Sequence, residues 1–368
     1  MATNYWDYIR VKELLALQGG LEGDDRALSA DELRFIAIHQ IDELWFKLAI
    51  RELETARDLF ARDRVPETAL SGAALALERV TKIFRLAAQH FELMETMRTQ
   101  DYLEFRDKLS PASGFQSAQM REIEILMGLE DRDRIPFGNE KSYLDALRAG
   151  REQESPALKR VLARLGQRRS LRQALDGWLS RAPIDGSTPD APGDPDRVSA
   201  FLAAYLEGHE RLRDRELRTT VQLQALAPED QERLRRRHDE QLEATRRYLL
   251  AEDVGADRRP WVRRIRAAIL FIDSYRELPL LSWPARILDA AIEAEQAILI
   301  FRQRHARMVE RVIGRRIGTG GSDGVEYLDR TALAYRVFSD LWAARTMLLP
   351  SDLLPPLSEL SFYGLVAE

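Results

Sequence analysis

An all-α helical bundle is the fold class this sequence predicts, and three observations carry that expectation. Apolar residues recur three and four positions apart over long stretches, the period of a helix with one buried face. No segment alternates apolar and polar residues between hairpin turns, and no Rossmann, P-loop or twenty-to-fifty-residue repeat pattern is present. Ser, Gly and Pro fall where helices would begin and end.

Residues 4–18 read as a short amphipathic helix carrying Tyr5, Tyr8, Ile9, Val11, Leu14 and Leu15, ended by Gly19 and Gly20; alone it lacks a surface to cover its apolar side. The next helix opens at Ser29 with Glu32 in capping-box spacing and runs to about residue 61, with Phe35, His39 and Phe46 on one side. A third spans about 67–97 and carries His90 beside Phe91. Pro111 and Gly114 then separate a short helix around Tyr102 and Arg106 from one beginning near Ser113. Helical patterns resume over 143–147, 156–179, 197–222, 231–250, 258–275, 284–314 and 325–348. The stretch 182–197 is rich in Pro, Gly and Asp and reads as a surface loop or a disordered excursion. The expectation is one domain over 1–368, with an N-terminal arm at 1–20 and that loop, a split into two at the loop being the alternative.

The 368 residues are 45% hydrophobic, enough for a buried core. Lys plus Arg number 55 against 60 Asp plus Glu, and the signs alternate along helical faces, so a nucleic-acid surface is not expected. The absence of cysteine excludes disulfides, thiolate zinc sites, iron–sulfur clusters and haem attached through C-x-x-C-H. No apolar run is long enough to span a bilayer, and a cytoplasmic protein without membrane contact is expected.

Five histidines limit the chemistry: His39, His90, His209, His238 and His305. The positions three before them are Ile36, Ala87, Leu206, Arg235 and Arg302, so a di-iron bundle built on Glu-x-x-His pairs fails at every one. No H-E-x-x-H occurs. Gly320, Ser322 and Gly324 match a G-x-S-x-G elbow, but a helix precedes it and no histidine follows, so a hydrolase is rejected. His305 lies on the apolar stripe of Ile298, Phe301, Met308 and Val312, and the glycine-rich segment 318–324 after it can present backbone N–H groups to an anion. On spacing alone His305 and His39 read as core imidazoles, the latter bonded to Asp42 or Glu43. Tyr102 and Arg106 likewise read as a packed tyrosine beside a solvated arginine.

Taken together, RHARMVERVIG followed by GTGGS, FIAIHQIDELWFK, DYLEFRDKL with SGFQS, and NYWDYIRVKELLALQ resemble, in order, segments of the haem-dependent tryptophan 2,3-dioxygenase family. The resemblance implies an all-α haem protein of the tryptophan/indoleamine dioxygenase type. By it, His305 is the proximal ligand of a non-covalent haem b iron, and Thr319 holds the amino-acid end of the substrate. His39 is the distal residue that accepts the indole N–H, Phe35 packs on the ring, and Tyr102 and Arg106 grip the carboxylate. Ser113 matches a serine at the haem edge, although it reads equally as a helix cap. Tyr5 and Tyr8 match an arm that reaches a neighbouring subunit's pocket in a homotetramer. Trp6 and Lys12 depart from the family's usual Gly and Asp.

The implied reaction inserts both atoms of O₂ across the indole C2–C3 bond of L-tryptophan, or a close derivative, giving N-formylkynurenine, as in tryptophan catabolism through the kynurenine pathway. Two alternatives stand beside it. One is a related haem monooxygenase making a 2-oxindole from tryptophan or β-methyltryptophan in secondary metabolism; the other is a haem sensor without turnover.

Overall fold

The computed structural model describes residues 4–109, 116–136, 142–148, 155–167, 169–224, 226–316 and 324–364. Among them no strand forms, only an isolated bridge between Ile184 and Ser187. The architecture is all-α, as the spacing of apolar residues requires.

In chain order the helices are α1 (Tyr5–Tyr8), α2 (Val11–Leu14), α3 (Ala30–Phe60), α4 (Glu67–Met94), α5 (Thr99–Phe105), α6 (Ala118–Met127), α7 (Tyr143–Arg148) and α8 (Pro156–Leu165). They continue as α9 (Leu171–Leu179), α10 (Asp194–Gln224), α11 (Pro228–Leu249), α12 (Arg259–Ser274), α13 (Pro279–Ile313), α14 (Val325–Ala334) and α15 (Ser339–Met347). The contacts divide the chain into two compact units. One comprises Met1–Ala56, Leu75–Leu171 and Glu293–Val337; the other comprises Arg57–Ala74, Arg172–Ile292 and Phe338–Glu368.

Several expected elements are corrected by local chemistry. The arm is two short helices rather than one, because Arg10 takes a left-handed conformation between them. Its apolar residues stay exposed, with Tyr5 at 76% and Tyr8 at 78%. Ser29 does cap α3, its Oγ accepting from the Glu32 amide at 3.1 Å, but the Glu32 carboxylate accepts from Lys108 at 2.9 Å. The helix expected from Ser113 begins at Ala118, where Ser117 accepts the Met120 amide at 3.2 Å. Helix α13 starts at Pro279, five residues before the expected Pro284, which is accommodated within its first turns. The pattern at 325–348 is two helices, since the Val337 amide leaves the helical ladder to donate to the buried Glu295 carboxylate.

In the second unit, the segment at 182–197 packs in part. Ile184, Asp185 and Asp194 are buried, and Asp194 takes two bonds from Arg264 at 2.8 and 2.6 Å. An aspartate-rich sequence reads as solvated until a guanidinium from elsewhere in the chain neutralises it.

The core of the first unit is aromatic at its centre. Phe301 of α13 lies 5.7 Å from Phe46 of α3 and 5.5 and 5.1 Å from Phe84 and Phe91 of α4. These offset and edge contacts are the arrangement aromatic quadrupoles favour, and they set three long helices around one cavity.

Candidate active site

The first unit contains a cavity of about 580 Å³, within the range of small-molecule and cofactor sites. Phe35, His39, Asp42 and Phe46 reach it from α3, Phe91 and Met94 from α4, and Tyr102 from α5. Arg302, His305 and Met308 line it from α13, Tyr327 and Thr331 from α14. Spacings of four, three and four residues put the α3 group on one helical stripe, and Arg302 and His305 share a face for the same reason.

Two imidazoles therefore meet one cavity. The Nδ1 of His39 sits 2.7 Å from the Phe35 carbonyl, so it carries the proton and Nε2 is left as an acceptor. This replaces the expected bond to Asp42 or Glu43. The His39 ring is accessible because it lines the hollow, yet protein surrounds it. Burial pushes its pKa down against the opposing pull of the Phe35 carbonyl and Glu43, and it is neutral near pH 7.

His305 is displaced further. Burial, then the charges of His39 and Arg302, lower its pKa to about 4. Its ring stacks on Phe91 at 5.3 Å, and among the described residues no hydrogen bond engages either ring nitrogen. A neutral imidazole with a free lone pair in an apolar wall is the form that binds a metal. Among the described residues no three His, Cys, Asp or Glu side chains gather to hold a bare ion. A single imidazole suits a metal whose other ligands come largely from a macrocycle.

Positive charge collects at the same cavity. Glu124, fully buried on α6, is held by Arg121 at 2.9 Å, Arg134 at 2.6 Å and Arg302 at 2.5 Å. Burial works to raise its pKa, but the three guanidiniums bring it down to about 2. Arg134 also pairs with Asp131 at 3.2 Å, but Arg121 and Arg302 share Glu124 alone, which leaves a surplus, and their buried Nε atoms have no hydrogen-bond partner among the described residues. Since both arginines line the cavity, it can accept carboxylates of a bound group.

The expected substrate residues are placed unevenly. Phe35 lies tilted against His39, ring centroids 4.1 Å apart, and 6.3 Å from Tyr102. Tyr102 is buried, which raises its pKa against the opposing charge and hydrogen bond of Arg106. Arg106 adjoins Tyr102 without itself lining the cavity, and Tyr5 and Tyr8 do not line it either. Ser113 and Thr319 lie outside the described residues.

Sequence reasoning missed the arginine cluster and a second polar pair, Asp42 with His90, at 3.1 Å. A usable signal existed for the first, since Arg302 stands three residues before His305. His209 and His238 belong to the second unit. His209 bonds the Met347 carbonyl at 2.9 Å and His238 faces Glu216 at 3.7 Å.

The family model described as Tryptophan 2,3-dioxygenase matches residues 1–348 of this chain. Tryptophan 2,3-dioxygenase of Sorangium cellulosum (strain So ce56) is 53% identical over 368 residues, covering 99% of this chain and 88% of its own length. Tryptophan 2,3-dioxygenase 2 of Ralstonia nicotianae is 50% identical, covering 99% and 98% respectively. The similarity extends to a vertebrate protein, tryptophan 2,3-dioxygenase B of Danio rerio, 33% identical over 96% of this chain and 84% of that one.

Proposed function

The chain belongs to the tryptophan 2,3-dioxygenase family, and from that premise we propose that it is a haem-dependent enzyme converting L-tryptophan and O₂ to N-formylkynurenine. One observation supports it beyond the family: two neutral imidazoles on different helices, His39 and His305, line a single cavity that also carries unpaired guanidinium N–H groups. The donor set fits haem b: His305 would hold the iron, and Arg121 and Arg302 are suited to hold the porphyrin carboxylates. Bound there, the iron supplies the binding and activation of O₂.

The protein's own part is positioning. The unprotonated Nε2 of His39 accepts the indole N–H, which fixes the ring's edge without removing the proton. Phe35, tilted against His39, offers an apolar face for the indole plane. Tyr102 and Arg106 at the Phe35 end are suited to the substrate carboxylate, a fork-shaped acceptor for a guanidinium. Thr319 and Ser113 take, in this reading, the roles the family segments imply, an amino-acid contact and a haem-edge contact. Ordering these groups before the reaction converts a bimolecular encounter into an aligned one.

The exposed Tyr5, Trp6, Tyr8, Leu15 and Leu17 favour a homotetramer in which the arm covers a neighbouring site with Tyr5 and Tyr8. A cytoplasmic setting accords with the finding that no described helix is long and apolar enough to cross a membrane. Aerobic incubation of reduced, haem-loaded protein with L-tryptophan tests the reaction. A product heavier by two oxygen atoms is expected. A product carrying one, or O₂ consumption that tryptophan does not stimulate, overturns it.

A further inference from the structure

Tyr102 and Arg106 can act as a carboxylate clamp only if the segment that carries them keeps its place against α3. Helix α5 ends at Phe105, whose ring lies 5.6 Å from Phe35 and 5.3 Å from Tyr102. A 3₁₀ turn, Arg106–Leu109, follows. Residues three apart in such a turn eclipse one another, so Arg106 shares the side of Leu109, which lines the cavity. Lys108 falls on a different side.

There Lys108 makes two ion pairs. Its Nζ donates to Glu32 Oε2 at 2.9 Å, in the first turn of α3, and to Glu22 Oε1 at 2.6 Å. Glu32 is buried and stands three residues after Ser29, where a capping box would turn its carboxylate back to the Ser29 amide; it reaches Lys108 instead. Glu22 comes from a stretch of chain that is itself fixed. Gln40 of α3 donates from Nε2 to the Leu17 carbonyl at 2.8 Å and accepts from Gln18 at 2.6 Å, and the chain then turns through left-handed Gly20 and Gly23, with Glu22 between them. Both carboxylates are therefore anchored on α3, one directly and one through Gln40. Exposed ion pairs contribute little singly, but one ammonium between two anchored carboxylates, one of them buried, fixes the turn that bears it.

Resting on the clamp proposed above, we infer that Lys108 is a positioning residue for substrate binding: by tying the Arg106–Leu109 turn to the N-terminal end of α3, it sets Arg106 for the carboxylate of an amino-acid substrate.

The test compares dissociation constants of L-tryptophan and of tryptamine, which lacks the carboxylate, read from the absorption change each causes in the haem-loaded protein. The parent should prefer L-tryptophan, and Arg106→Ala should lower that preference roughly 10- to 150-fold. Lys108→Met should lower it about fivefold or more while tryptamine binding changes by less than about twofold. Lys108→Arg, which can keep both pairs, should retain the preference. In the Arg106→Ala background Lys108→Met should remove nothing further, because it acts through that guanidinium. If Lys108→Met does not fold, Glu22→Gln, at a partly exposed carboxylate, should show the same selective loss in weaker form. Equal weakening of both ligands, or a preference unaltered in these variants, overturns the inference alone. No preference in the parent, or one that survives Arg106→Ala, contradicts the clamp itself.

Discussion

At the scale of single residues, what was legible in the sequence was whatever depends on local spacing. Spacing places His39 and His305 on apolar helical stripes, where they read as core imidazoles; their roles came from the family resemblance, and both line the cavity. Asp42 and His90 were not legible as a pair, since they lie 48 positions apart and meet only when α3 and α4 pack. The Glu124–Arg302 bond spans 178 positions and was hidden for the same reason. Even the tautomer of His39 is a product of the fold, fixed by the Phe35 carbonyl one turn back. In the proposed carboxylate clamp, Arg106→Ala would remove charge-assisted bonds worth about 1.5 to 3 kcal/mol, so KM for tryptophan should rise roughly 10- to 150-fold with kcat less affected. Saturation curves that superimpose on those of the parent enzyme would remove Arg106 from the carboxylate clamp.

At the scale of elements, the long helices were legible and their interruptions were not. Periodicity registers apolar faces but is blind to a single amide turned aside, as at Val337, or to a single left-handed residue such as Arg10. Tight helix contacts are equally invisible. Gly208, inside α10, has no room for a side chain: a Cβ there would stand 2.5 Å from Leu349 Cδ1 and 2.8 Å from the Leu353 carbonyl. Alanine should add about 1 kcal/mol of helix propensity, yet displacing that backbone oxygen costs roughly 1 to 3 kcal/mol. Gly208→Ala is therefore expected to lower the urea midpoint, and a raised midpoint would show that the contact relaxes freely. The arm makes a contrasting case, since Tyr5, Tyr8, Leu15 and Leu17 are exposed among the described residues. Deleting residues 1–18 should leave haem content intact while raising KM for tryptophan several-fold, and unchanged kinetics would dissociate the arm from the site.

At the scale of the whole molecule, buried charges of opposite tendency shape the response to pH. Glu124, held at about 2 against an ordinary 4.5, stays ionised in the folded chain where the unfolded chain takes up a proton, so its stabilisation is full above about pH 4.5 and fades towards 2. Asp176 acts in reverse. Burial lifts it from 3.8 to about 7, with Arg172 and Arg258 opposing and Asp340 assisting, so the folded chain keeps a proton that the unfolded chain has released. Stability from this site declines as the pH rises from about 4 to about 7. Asp176→Asn should remove that decline, and urea midpoints of parent and variant that run parallel over this interval would contradict it. The all-α class was legible because helical periodicity recurs along the whole chain, whereas the convergence of six helices on one hollow is a property of packing alone. The assignment of His305 as the iron ligand is the claim the rest depends on, and a hemin titration of the haem-free protein, followed by absorption, examines it directly. The parent chain should bind one hemin tightly, His39→Ala should bind it also, and His305→Ala should lose tight binding and regain it when free imidazole is added. A His305→Ala variant that binds hemin as tightly as the parent, with an unchanged spectrum, would contradict the account.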